Sequence, residues 1–244
     1  MSRKALILAA LSGLASQAGA SVISINFTGA GGEDGTLAST DAAGFVSATN
    51  WNNIAENGPF NSNTGTSLVD DSGSATSAMI SWGNGTDGTG IGSWAIGSLT
   101  PDTPDHRMFR GYLDNYEGLR TITLSGLDAG TIYNIYVYSD GDNDSNVRRG
   151  FFTMSGTTTE LIDAAGNYSG SYEAVPSGTA DSGNYTVFTV SGATSYDLMF
   201  QGTLADDIPR APLNGLQIVS VPEPSSIVFG TLTMLTFLRR KRSA

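Results

Sequence analysis

Short stretches of alternating apolar and polar residues recur along this chain, and glycine, serine, threonine, asparagine and aspartate punctuate them at intervals of about eight to twelve residues. From Ser21 to Phe27 the alternation sets Ile23, Ile25 and Phe27 on one face, and from Thr76 to Trp82 it groups Ala78, Ile80 and Trp82. Similar patterns predict strands over 107–113, 119–124, 132–138, 149–154, 160–162, 185–190, 196–200 and 216–219. The segment 132–138 is apolar or aromatic on both faces: Tyr133, Ile135 and Val137 on one, Tyr136 and Tyr138 on the other. That suits a central strand covered on both sides. Residues 44–66 read as a short strand and a long loop, 83–92 as a glycine-rich loop, and 101–106 as a turn with an exposed His106. No stretch of the body sustains a helical period. About ten strands of this kind predict an all-β fold, a two-sheet antiparallel β-sandwich of jelly-roll type.

The two ends break this pattern. Arg3 and Lys4 precede an apolar run from Ala5 to Ala15, and Ala18-Gly19-Ala20 is an A-x-A cleavage site. Residues 1–20 are therefore expected to be a signal peptide removed by signal peptidase. At the other end Pro222-Glu223-Pro224 separates the body from a mostly apolar run, Ile227 to Leu238, closed by Arg239, Arg240, Lys241 and Arg242. The run is expected to form a short hydrophobic helix held by its basic stop. It falls short of the about 20 residues of a full span, which implies transient anchoring in the inner membrane.

Residues 21–220 then form one domain, and 221–244 a tail. The tail resembles the PEP-CTERM sorting signal of exported bacterial proteins, with all three of its parts in order. That resemblance implies a Gram-negative-type source and recognition by an exosortase-type membrane protease. It also implies delivery to the cell surface or the extracellular matrix.

Charge narrows the partners. The body holds six arginines, no lysine and 22 acidic residues, a formal charge of −16. Such a surface repels nucleic acid and anionic membranes, which excludes a nucleic-acid role. With no cysteine there are neither disulfides nor thiol chemistry. A single histidine leaves no multi-histidine metal centre.

Two features remain as candidate chemistry. Asp140, Asp142 and Asp144 alternate in a loop, a spacing that lets carboxylates converge on a calcium ion. The alternative is a polar turn paired with Arg148 and Arg149. Trp51 and Trp94, flanked by asparagine or by glycine and serine, are candidate platforms for a sugar ring. Tyr112, Tyr116, Tyr168 and Tyr172 belong to the same aromatic set.

Three stretches also resemble galactose-binding, carbohydrate-module jelly rolls. They are Gly111-Tyr112-Leu113-Asp114, the run from Ser125-Gly126-Leu127 to Tyr136-Val137-Tyr138, and the closing Leu213-Asn214-Gly215-Leu216-Gln217-Ile218-Val219. The resemblance implies a non-catalytic module binding extracellular polysaccharide. A structural matrix component and a glycan hydrolase or lyase are the alternatives.

Overall fold

A computed structural model describes residues 20–29, 35–54, 63–83, 91–97, 99–116, 118–142, 145–203 and 209–222. In chain order its strands are β1 (Val22–Phe27), β2 (Asn52–Ile54), β3 (Asn63–Val69), β4 (Ala75–Trp82), β5 (Gly92–Ala95), β6 (Gly111–Asn115), β7 (Arg120–Ser125) and β8 (Ile132–Tyr138). They continue as β9 (Arg148–Met154), β10 (Thr157–Asp163), β11 (Ala174–Val175), β12 (Ala180–Ser182), β13 (Tyr185–Val190), β14 (Ser195–Gly202), β15 (Ala211–Leu213) and β16 (Gly215–Val221). One helix, α1 (Pro104–Arg110), stands between β5 and β6. Residues 1–19 of the expected signal peptide and the tail beyond Pro222 lie outside the described residues. Among those described, no helix is long and apolar enough to cross a membrane.

Two large sheets form the sandwich. One has the order β11-β13-β8-β16-β1-β2 and the other β12-β10-β9-β14-β7-β4-β3. Pairing is antiparallel except at edges, where β2, β11 and β12 each add two or three residues in parallel. Between the sheets lies the main core, with Ile25, Phe27, Ile80, Ile122, Ile135, Val137, Phe152, Leu198, Phe200 and Leu216 almost wholly buried. These are the inward positions of the alternation read from the sequence.

The outer face of the six-stranded sheet is covered as well. A second cluster contains Leu37, Trp51, Met108, Phe109, Tyr112, Tyr138, Tyr168 and Tyr185, brought there by α1 and the connecting segments. On the outer face of β8 this cover buries Tyr138, while Asn134 and Tyr136 are half-buried and Ile132 is 45 % exposed. The strand sits between β13 and β16, as its sequence predicts. Gln217 pins part of the cover. Its amide donates to the Val46 carbonyl at 2.7 Å, and its oxygen accepts from the Tyr138 hydroxyl at 2.5 Å.

The expected strand over 107–113 is half helix. Thr103 caps α1 by accepting from the His106 amide, and Pro104 opens it. Asp105 lies in the first turn, with Arg107 and Arg110 in the last. Each feature suits a helix start or end, and together they outweigh a seven-residue alternation. His106 is not an exposed loop residue but is 3 % exposed. It lies edge-on to Tyr168, with Nδ1 2.7 Å from the Thr103 hydroxyl.

The strand that follows, β6, joins β15 and β5 in a third, three-stranded sheet. Its close approach to the sandwich depends on two glycines. A Cβ on Gly111 would stand 2.2 Å from the Thr28 carbonyl carbon, and one on Gly29 (φ +74°) 2.1 Å from the Trp94 oxygen. No side chain fits at either contact.

Candidate functional site: a cleft on the small sheet

The third sheet, the loop after β8 and the first residue of β9 enclose a cleft of ≈ 170 Å³. Trp94, Tyr112, Asp114, Asp142, Arg148 and Arg210 line it. Pairing explains part of the gathering. Trp94 on β5 stands opposite Tyr112 on β6. Asp114, two residues on, shares the Tyr112 face by the two-residue period of a strand. Arg210 enters just before β15, where Pro212 pairs with Asp114.

The loop residue Asp142 organises the mouth. Its carboxylate accepts from the Trp94 indole at 3.2 Å, and its amide donates to the Tyr112 hydroxyl at 3.2 Å. Arg148 donates to its carbonyl at 2.9 Å. The indole is thus held by its nitrogen while the residue stays 51 % exposed.

Opposite, the Arg210 guanidinium pairs closely with an Asp114 carboxylate oxygen. It also lies 3.6 Å from the centroid of the Tyr116 ring, a cation–π contact. Burial pushes the Asp114 carboxyl above the ordinary aspartate value, opposed by Arg210 and, more weakly, Arg148. Burial also raises the Tyr112 phenol, which stays neutral. Three shielded polar atoms in the cleft wall make no hydrogen bond: Asp114 Oδ1, Arg148 Nε and Arg210 Nε. An unmade bond on a buried polar group costs about 1–3 kcal/mol, so three in one small wall mark a place short of partners.

The sequence candidates divide. Trp94 lies in the cleft. Trp51 does not: it is 5 % exposed, and its indole donates to the Ala48 carbonyl at 2.9 Å within the second core. It is a packing residue rather than a platform, because the 43–48 turn folds over the sheet beside it. Of the tyrosines, Tyr112 lines the cleft and Tyr116 backs Arg210, whereas Tyr168 and Tyr172 pack with the second cluster.

The two described loop aspartates are engaged separately. Asp142 binds Trp94, while Asp140 is buried and accepts from the Tyr168 amide at 3.0 Å. Burial raises the Asp140 carboxyl well above the ordinary value, helped by the neighbouring charge of Asp163. Asp144 lies outside the described residues. Among the described residues no group of three acids or histidines is placed to hold a metal. Arg148 does meet this loop, through the backbone carbonyl of Asp142.

Asp114 and Arg210 were not legible as site residues. Asp114 carries a signal only through its two-residue spacing from Tyr112. Arg210 is brought in by a strand pairing nearly a hundred residues away in sequence.

The chain matches no protein-family profile and no curated protein. Among solved structures it is similar to a variant exo-β-1,3-galactanase from Phanerochaete chrysosporium with β-1,3-galactotriose. Identity there is 13 % and the TM-score 0.29, over 57 % of this chain and 32 % of that one. The same enzyme with galactose gives 15 % identity and a TM-score of 0.27, over 62 % and 36 %. The chain spans about a third of the length of these structures, at an overlap too low to transfer a site.

Proposed function

We propose that this chain is an exported bacterial surface protein whose β-sandwich binds extracellular polysaccharide without cleaving it. The leader and the PEP-CTERM-like tail support export, with an exosortase-type protease acting on Pro222-Glu223-Pro224. The single observation that carries the binding reading is the Trp94 cleft. There, a half-exposed indole is fixed by Asp142 beside an aspartate–arginine pair. Aromatic faces take the C–H side of a sugar ring, and paired acids and guanidiniums take its hydroxyls.

Strand geometry supports display. Ser21 and Ser220 are hydrogen-bonded neighbours, so both ends of the body emerge together. Strands β1 and β16 run from there to Asn214, beside which Asp140 begins the cleft loop. Seven residues of β16 at roughly 3.3 Å each put about 20 Å between the termini and the cleft end.

Binding of the purified protein to a glycan array, with Trp94→Ala as control, tests the reading. Saturable binding that disappears in the variant is expected, and its absence on every glycan leaves a matrix role without a specific ligand. A hydrolase reading draws on the same cleft, since Asp114 and Asp142 are the kind of pair that glycoside hydrolysis uses. Arg210 opposes it by holding Asp114 as an ion pair rather than a free acid. Release of reducing sugar, lost in Asp142→Asn, would establish it.

A further inference from the structure

The geometry points to an uncharged sugar, taken as a single pyranose residue through a pair of neighbouring hydroxyls and stacked on Trp94, as the ligand of this cleft. The inference rests on the glycan-binding reading and narrows it.

Charge balance argues against a charged ligand. Among the described residues the wall holds two carboxylates and two guanidiniums, whose formal charges sum to zero. Arg210 is committed to Asp114, Arg148 to the Asp142 carbonyl, and the Asp142 carboxylate to Trp94. A uronate could bind Arg210 only by drawing it from Asp114, whose side chain is 13 % exposed. That would strand a buried carboxylate facing a second one, and such losses are strongly unfavourable. A cationic ligand meets the mirror problem with the arginines. A hydroxyl both donates and accepts, so two adjacent hydroxyls supply an acceptor for an arginine N–H and a donor for a carboxylate oxygen. The pair stays intact.

Size sets the unit recognised. At ≈ 170 Å³ the cleft is smaller than the roughly 300–1,000 Å³ of sites for drug-sized ligands. It has room for one ring against the indole rather than for a run of rings along a groove. A polysaccharide would be engaged at a chain end or a side branch.

The test uses the full purified protein. D-glucose, D-galactose, D-mannose and L-rhamnose are titrated by calorimetry and by tryptophan fluorescence, beside D-glucuronate and D-galacturonate. Trp51 and Trp82 are buried, so an indole signal change reports Trp94. At least one neutral sugar should bind saturably, and its affinity should change less than about twofold when salt is raised, because no net charge is neutralised. Uronates should bind at least tenfold more weakly. Trp94→Ala should abolish binding with an unchanged melting temperature. Arg210→Lys, which keeps the charge but loses the planar fork, should weaken it at least tenfold.

Equal or tighter uronate binding overturns the uncharged assignment and leaves glycan binding standing. Binding to polysaccharides with none to any monosaccharide overturns the single-residue assignment alone. No response to any monosaccharide or polysaccharide overturns both.

Discussion

Replacing Asn214 by alanine should unfasten the site and much of the fold around it. Asn214 is fully buried between β15 and β16. Its side-chain oxygen accepts from the Asp140 amide at 2.7 Å, and its nitrogen donates to the carbonyls of Phe109 and Gly111 at 2.9 and 3.1 Å. One side chain thus ties the end of α1 and the start of β6 to the loop that carries Asp142. Alanine leaves three buried backbone groups without partners, each costing about 1–3 kcal/mol. Some relaxation and water entry offset part of this, so a loss of about 3–5 kcal/mol is expected. For a domain near 200 residues that corresponds to a fall of roughly 10–15 °C in melting temperature. Asn214→Asp keeps the acceptor but turns a charged oxygen toward two carbonyls, so it should not rescue the fold at neutral pH. Urea unfolding followed by tryptophan fluorescence measures the difference directly. A loss below about 1 kcal/mol in Asn214→Ala would refute the reasoning, because the three bonds would then be replaceable at little cost.

Three further measurements bear on the loop and the termini. The Asp140 carboxyl is raised in the folded state, so the native protein binds more protons than the unfolded chain above the ordinary aspartate value. Stability from this group is therefore lost as pH rises through that window, and Asp140→Asn should raise the melting temperature near pH 7 and flatten its pH dependence. The same melts with calcium and with a chelator check the loop's cation chemistry. A calcium-dependent rise in the wild type that is lost in Asp140→Asn would assign the loop, with Asp144, to calcium. Processing is checked by intact mass of protein released from the cell surface, which should lack both Met1–Ala20 and the basic cluster Arg239–Arg242. A species ending at Ala244 in that fraction would show that the tail is not cut.

The sandwich was legible in the chain because period-two alternation is a local property. Ile23, Ile25 and Phe27 lie on one face whatever they meet, and the doubly apolar 132–138 announces a central strand. Local signals failed where they competed. In 104–110 the Thr103 cap and Pro104 override an alternating look, which turned an expected strand into α1 and drew His106 inward. The candidate site was half legible for a related reason. Asparagine and glycine neighbours describe the backbone around Trp51 and Trp94 but not what covers them. Trp51 is covered by a turn folded over its sheet, and Trp94 stands on a small third sheet with one face open. The partners that give Trp94 its chemistry are Asp114, Asp142, Arg148 and Arg210, scattered over nearly a hundred residues. Only the pairing of β5, β6 and β15, with the β8–β9 connection against them, sets them around one cleft, because a short-range pattern carries no information about which distant segment becomes a neighbour.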